Sequence, residues 1–173
     1  MFAKIKARLS SMSTIKSLCL QAEQHALRDQ QPQPGAEHFL LAALDLPDDT
    51  ARQSFAAIGA DAATLRSAIT QQYDDALQSL GIDPEVARAD DLVEQPLPLR
   101  GGLYDASASG KQVMQNLAEN RHQHYPLLGA HIVAVVAAMK HGVAARALRA
   151  MGIDADRLRS AAQGIVNAVG ARQ

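Results

Sequence analysis

The 173-residue sequence has no tryptophan, one cysteine, three tyrosines and three phenylalanines. So few aromatics on an alanine-rich background give β-strands little to build on and favour helices, so the fold class expected is all-α. The lone Cys19 excludes an internal disulfide and has no Cys-x-x-Cys or zinc-spaced partner; it reads as a small core side chain in a cytoplasmic protein. An excess of one charge is missing too: 17 Lys and Arg face 18 Asp and Glu, a net charge of −1. With no cationic surplus to neutralise phosphates, nucleic acid and membrane are not expected partners. The longest apolar run, Ile132 to Met139, falls far short of the ~20 residues a membrane span needs. The basic start, Met1 to Leu9, leads into Ser10-Ser11-Met12-Ser13-Thr14 and not into an apolar signal core, so export is not expected.

What the sequence does hold is helical periodicity with legible ends. Apolar spacing, cap residues and glycine stops predict helices over Thr14–Asp29, Ala36–Leu46, Thr50–Ile58 capped by Asp49, and Ala62–Leu80 capped by Asp61. Asp83-Pro84-Glu85 predicts one further turn. Residues 89–106, with Pro96, Pro98, Gly101 and Gly102, read as a linker. Helices resume over Ser107–His122, Ala130–Lys140, Val143–Met151 and, capped by Asp154, to Val169.

A shift of 93 residues lays one half on the other. Ala57–Ala68 and Ala150–Ala161 are identical at 8 of 12 positions, against the one or two identities chance would give, so the unit is duplicated. The same shift pairs His38 with His131, Ala51 with Ala144 and Phe55 with Leu148. Each unit carries a Gly-x-Asp corner, Gly59/Asp61 and Gly152/Asp154. Leu65 and Leu158 are expected in the core, with Arg66 and Arg159 beside them as solvated charges. The expectation is a single domain over 1–173, with one repeat at 14–82 and the other at 107–169.

Motifs that would carry chemistry fail on inspection. Gly110-Lys111 before a helix superficially suggests a phosphate loop, but Asp105 and Gln112 stand where Gly and Ser/Thr are needed. His122, His124, His131 and His141 lack good ligand spacing and a Cys or carboxylate partner, so interfacial or exposed histidines are expected and a metal is not. No Gly-x-Ser-x-Gly elbow, His-Glu-x-x-His or based cysteine is present. A non-enzymatic binding protein without cofactor is the expectation, the alternatives being a peptidase-associated hydrolase or a His-based metal or small-molecule sensor.

Gly35-Ala36-Glu37-His38-Phe39-Leu40-Leu41-Ala42-Ala43-Leu44 resembles the repeat signature of Clp ATPase N-terminal domains, Gly-Thr-Glu-His followed by a leucine run. The Gly-x-Asp corner with Leu-Arg is similar to the back half of that repeat, and Leu128–Val136 and Gly142–Leu148 resemble its divergent second copy. The resemblance covers Ile15 to Val169. It implies about eight helices in two pseudo-twofold-related four-helix repeats. It also implies a free-standing protein- or peptide-binding module whose partner is a Clp ATPase, its adaptor or its substrates. Some members hold phosphoarginine through the Glu of each signature; Glu37 matches one, while Ala130 replaces the other and Ala36 the usual Thr. His38 and His131 occupy matched helix ends, where they are expected to satisfy hydrogen bonds, and Phe2 resembles the Met-Phe start that borders a peptide groove. The residues the resemblance nominates for binding are Phe2, Glu37, His38 and His131, in one asymmetric site.

Overall fold

The computed structural model describes the backbone of residues 2–90, 105–121, 124 and 126–171, with side chains from residue 10 to 87 in the first of these stretches. Among these residues lie nine α-helices and no strand. They are α1 (Phe2–Arg28), α2 (Ala36–Leu44), α3 (Thr50–Ala57), α4 (Leu65–Ser79), α5 (Pro84–Asp90), α6 (Ala108–Glu119), α7 (Gly129–Ala137), α8 (Val143–Ala150) and α9 (Ala155–Gly170). Most of the linker read over 89–106 falls outside the described residues.

Helix α1 starts twelve residues earlier than its apolar period predicts, and the Ser/Thr stretch does not break it. Thr14 Oγ1 donates to the Ser10 carbonyl at 3.0 Å, which absorbs the hydroxyl within the helix. Ser11 is buried, and its Oγ accepts from the Leu127 N–H at 3.1 Å. The Ser11 hydroxyl therefore ties α1 to the entry of α7.

The two corners form as their sequences dictate. Gly59 and Gly152 take φ of +75° and +69°, a region open to glycine at little cost. The amide after each folds back onto the helix it leaves, Ala60 N–H to the Phe55 carbonyl at 3.0 Å and Ile153 N–H to the Leu148 carbonyl at 2.9 Å. Asp61 then accepts from Ala63 N–H and Asp154 from Asp156 N–H, each at 2.9 Å. The first repeat inserts a 3₁₀ turn, Ala62–Thr64, before α4, and the second enters α9 directly.

Asp49 does not cap α3. Its φ is +58° and its carboxylate makes no cap bond. The neighbouring Asp48 does the work, accepting from Thr50 N–H at 2.9 Å, because its position lets the carboxylate also reach the other half of the molecule.

Packing exchanges the halves. Helix α3 packs on α9 and α8 packs on α4, so the third helix of each repeat lies against the fourth of the other, while α2 and α7 meet at the centre. Phe39, Phe55, Leu65 and Ile69 from the first half join Val113, Ile132, Leu148 and Leu158 from the second in one apolar core. Each is fully buried or nearly so, which contributes about 1.5–3 kcal/mol per large side chain. Gly110 serves this contact: a Cβ there would lie 2.3 Å from the Pro34 carbonyl oxygen and 3.1 Å from Phe39. The Gly-Lys pair that superficially suggests a phosphate loop is thus a close helix approach, held by Ser107 N–H to the Pro34 carbonyl and Ala36 N–H to Ser109 Oγ, both at 3.1 Å.

Candidate functional site

Two features stand out: a buried polar chain inside the first repeat, and an apolar groove between α1 and α6. The polar chain begins at the start of α2. His38, fully buried three residues into the turn, turns Nδ1 back to accept the Gly35 N–H at 2.9 Å. His131 does the same for Leu128 N–H at 3.0 Å at the start of α7. Histidine here fills the place of the glutamate in a capping box, and accepting at Nδ1 puts the ring proton on Nε2. His38 Nε2 lies 3.3 Å from Asp29 Oδ2.

From Asp29 the chain runs across α1 and α4. Arg66 donates from Nη1 to Asp29 Oδ1 at 3.0 Å and from Nη2 to His25 Nδ1. A guanidinium can only donate, so the His25 proton sits on Nε2, which donates to Asp45 Oδ2 at 2.8 Å. Burial lowers the His25 pKa, the hydrogen bond to Asp45 opposing it. Arg66, expected as a solvated charge, is half-buried and paired; Arg159, its counterpart, is exposed and pairs with Asp156 at 3.1 Å. At the other end Tyr73 donates to the buried Glu37 Oε1 at 2.7 Å, and burial, then the Glu37 charge, raise the tyrosine pKa. Ala130, Ala138 and Val166 stand 93 residues after Glu37, Asp45 and Tyr73, so the polar chain has no equivalent in the second repeat.

The start of α7 is instead met by a carboxylate just ahead of α3. Both Asp48 oxygens lie 3.2 Å from Gly129 N, and Thr50 Oγ1 accepts from Ala130 N–H at 2.9 Å while donating to Asp48. One negative charge therefore sits at the N-termini of two helices, where the peptide dipoles favour it. These amides are consumed within the molecule.

The groove has a volume of about 480 Å³. Met12 and Ile15 of α1 form one wall; Met114, Leu117 and Ala118 of α6 form the other, with Arg121, His124 and Leu127 at one end. Met12 is 69% exposed, although the same helix buries Leu18 and Ala22 further along. The His124 and His131 rings meet at 4.4 Å between centroids, and burial lowers the His124 pKa. No group of three or more His, Cys, Asp and Glu that could hold a metal occurs among the described residues.

Of the four nominated binding residues, Glu37, His38 and His131 are buried, with the partners given above. The Phe2 side chain lies outside the described residues, as does His122. The structure brings Glu37 and His38 together and keeps His131 across the α2–α7 contact. The groove residues escape a sequence reading that starts the first helix only at Thr14. The signal that finds them is the spacing of Met12 and Ile15 on α1 and of Met114, Leu117 and Ala118 on α6, each set falling on one helical face.

Residues 13–93 match the family model of the Clp repeat (R) N-terminal domain. That stretch belongs to the Clp N-terminal domain family. The match spans the glutamate-histidine signature, the first Gly-x-Asp corner and the entire polar chain from Asp45 to Tyr73. The second half, outside the matched residues, repeats two features of the first, the histidine turn at His131 and the Gly152/Asp154 corner. Clp N-terminal domains are protein-interaction domains. No helix among the described residues is long and apolar enough to cross a membrane. No curated protein matches the chain.

Proposed function

We propose that the chain is a polypeptide-binding module acting as an adaptor or modulator of substrate delivery in Clp-type proteolysis. The observation that carries this reading is the open apolar groove between α1 and α6, whose exposed methionine and isoleucine gain by being covered. Two methionines, Met12 and Met114, give its walls an adaptable surface suited to varied apolar side chains. Glu37, His38 and His131 would fix the starts of α2 and α7 behind the groove, so that the two repeats, residues 14–82 and 107–169, act as one body. A cytoplasmic setting suits the single half-buried Cys19.

The test is titration of the purified protein with a permanently unfolded, carboxymethylated casein and with a Clp ATPase, alongside Met12→Glu and Ile15→Glu. Binding weakened about tenfold by either substitution supports the reading. Affinity indifferent to both would remove the groove from it. Casein cleavage abolished by a point substitution in this chain would favour the hydrolase alternative, and stoichiometric metal in the purified protein the sensor alternative.

A further inference from the structure

The groove is apolar within but electrostatically one-sided at its border. Of the described residues lining it, Arg121 alone carries a full charge, and none is a carboxylate. Arg121, in the turn just after α6, lines the same groove as Met114 and Leu117, so it stands where an occupant's flank would pass. The helix forming the opposite wall, α1, carries Lys4, Lys6, Arg8 and Lys16 before its first acidic residue, Glu23, in a chain whose net charge is −1. Lys16 is exposed one residue beyond Ile15. The nearest cation on the outer side of α6, Lys111, is already paired with Asp105 at 3.1 Å, and the exposed Glu119 accepts from the Gln115 amide at 2.8 Å outside the groove lining.

We propose that the groove takes an acidic amphipathic segment of a partner protein, with apolar residues at helical spacing seated between α1 and α6 and Asp or Glu beside Arg121 and Lys16. This rests on the groove being the binding surface and specifies its occupant. A concave cleft between two helices receives a helix or strand better than a flat lipid surface, which favours a polypeptide over an anionic membrane. Discrimination comes from charge, because the methionine walls accept many apolar side chains.

The experiment uses the full chain and three labelled model peptides that share one leucine pattern and differ only in Glu, Gln or Lys on the polar face, read by fluorescence anisotropy. The Glu peptide should bind about fivefold or more tightly than the Gln peptide, and the Lys peptide more weakly than either. Raising salt should shrink the difference, since exposed charges are screened. Arg121→Glu should reduce or reverse the preference, and Lys16→Glu, at an exposed position outside the groove lining, should reduce it while leaving Gln-peptide affinity within about twofold. Equal binding of all three peptides overturns the acidic preference and leaves the groove as a binding surface. Failure of all three to bind a protein with an unaltered helical spectrum overturns both. Avid binding to phosphatidylserine vesicles that the Glu peptide cannot compete would replace the protein partner with a membrane.

Discussion

The Tyr73 hydroxyl reaches across from α4 to the first turn of α2 and donates to the buried Glu37 carboxylate at 2.7 Å. A carboxylate 5% exposed needs donors, and Tyr73 supplies one from a helix that joins this turn to the rest of the first repeat. The family signature thus carries a structural partner that lies 36 residues away and appears in no local motif.

Tyr73→Phe should lower unfolding stability by about 1–3 kcal/mol, because the carboxylate loses its donor while remaining buried. Converting the pair to the second repeat's residues, Glu37→Ala with Tyr73→Val, should cost less than the sum of the two single changes. Urea denaturation of the four proteins checks this. Strict additivity would show that the bond is energetically idle.

Asp48 and Asp49 should differ sharply. Asp48→Ala removes the acceptor shared by the starts of α3 and α7 and should cost about 2–3 kcal/mol, whereas Asp49→Ala should cost under about 1 kcal/mol. Asp49→Gly should be neutral or stabilising, since φ of +58° suits glycine. Thermal melts of the three variants decide, and equal losses from both alanine changes would refute the assignment of the cap to Asp48.

Stability should fall on mild acidification. The His25 pKa is lowered by burial, so both folded and unfolded chains hold the ring neutral at pH 7. Below 6.5, its ordinary value, the unfolded chain protonates first, and proton uptake then favours unfolding until the lowered folded pKa is passed. The His124 pKa, also lowered by burial, adds in the same direction. Denaturation free energies measured between pH 7.5 and 5 should decline, and His25→Gln should flatten the decline; an unchanged slope would remove His25 as its source.

Gly110→Ala should be costly although helix propensity favours alanine. The added Cβ meets the Pro34 backbone oxygen at 2.3 Å, which no side-chain rotation relieves, so a loss of about 1–3 kcal/mol is expected. Gly164→Ala, where the added carbon meets nothing within 4 Å, is the control and should stabilise by up to about 1 kcal/mol. Chemical denaturation of both variants checks the contrast.

Much of the architecture was legible because its signals are local. Gly59 and Gly152 mark positive φ, Asp61 and Asp154 cap the helices after them, and a 93-residue shift superposes the corners. The paired histidines were legible as helix-end groups for the same reason, each bonding a backbone amide three residues away. Arg66 was not, since its partners His25 and Asp29 lie 41 and 37 residues off, and an arginine that follows a core leucine looks the same whether solvent or a carboxylate awaits it. The Ser10–Thr14 stretch misled because local propensity penalises it, whereas Ser11 is satisfied by Leu127, 116 residues later.

The sequence by itself determined that the chain is helical, that its corner recurs after 93 residues and that its first half resembles a Clp repeat, since periodicity, capping and turn chemistry act over a few residues and repeat on schedule. Only the tertiary structure decided which charges are buried, that α3 and α8 exchange places between repeats, and that Met12 and Ile15 face Met114 and Leu117 across an open groove. Those outcomes depend on which surfaces meet when the halves pack, and pairwise contact between distant segments leaves no period in the chain for a reader to follow.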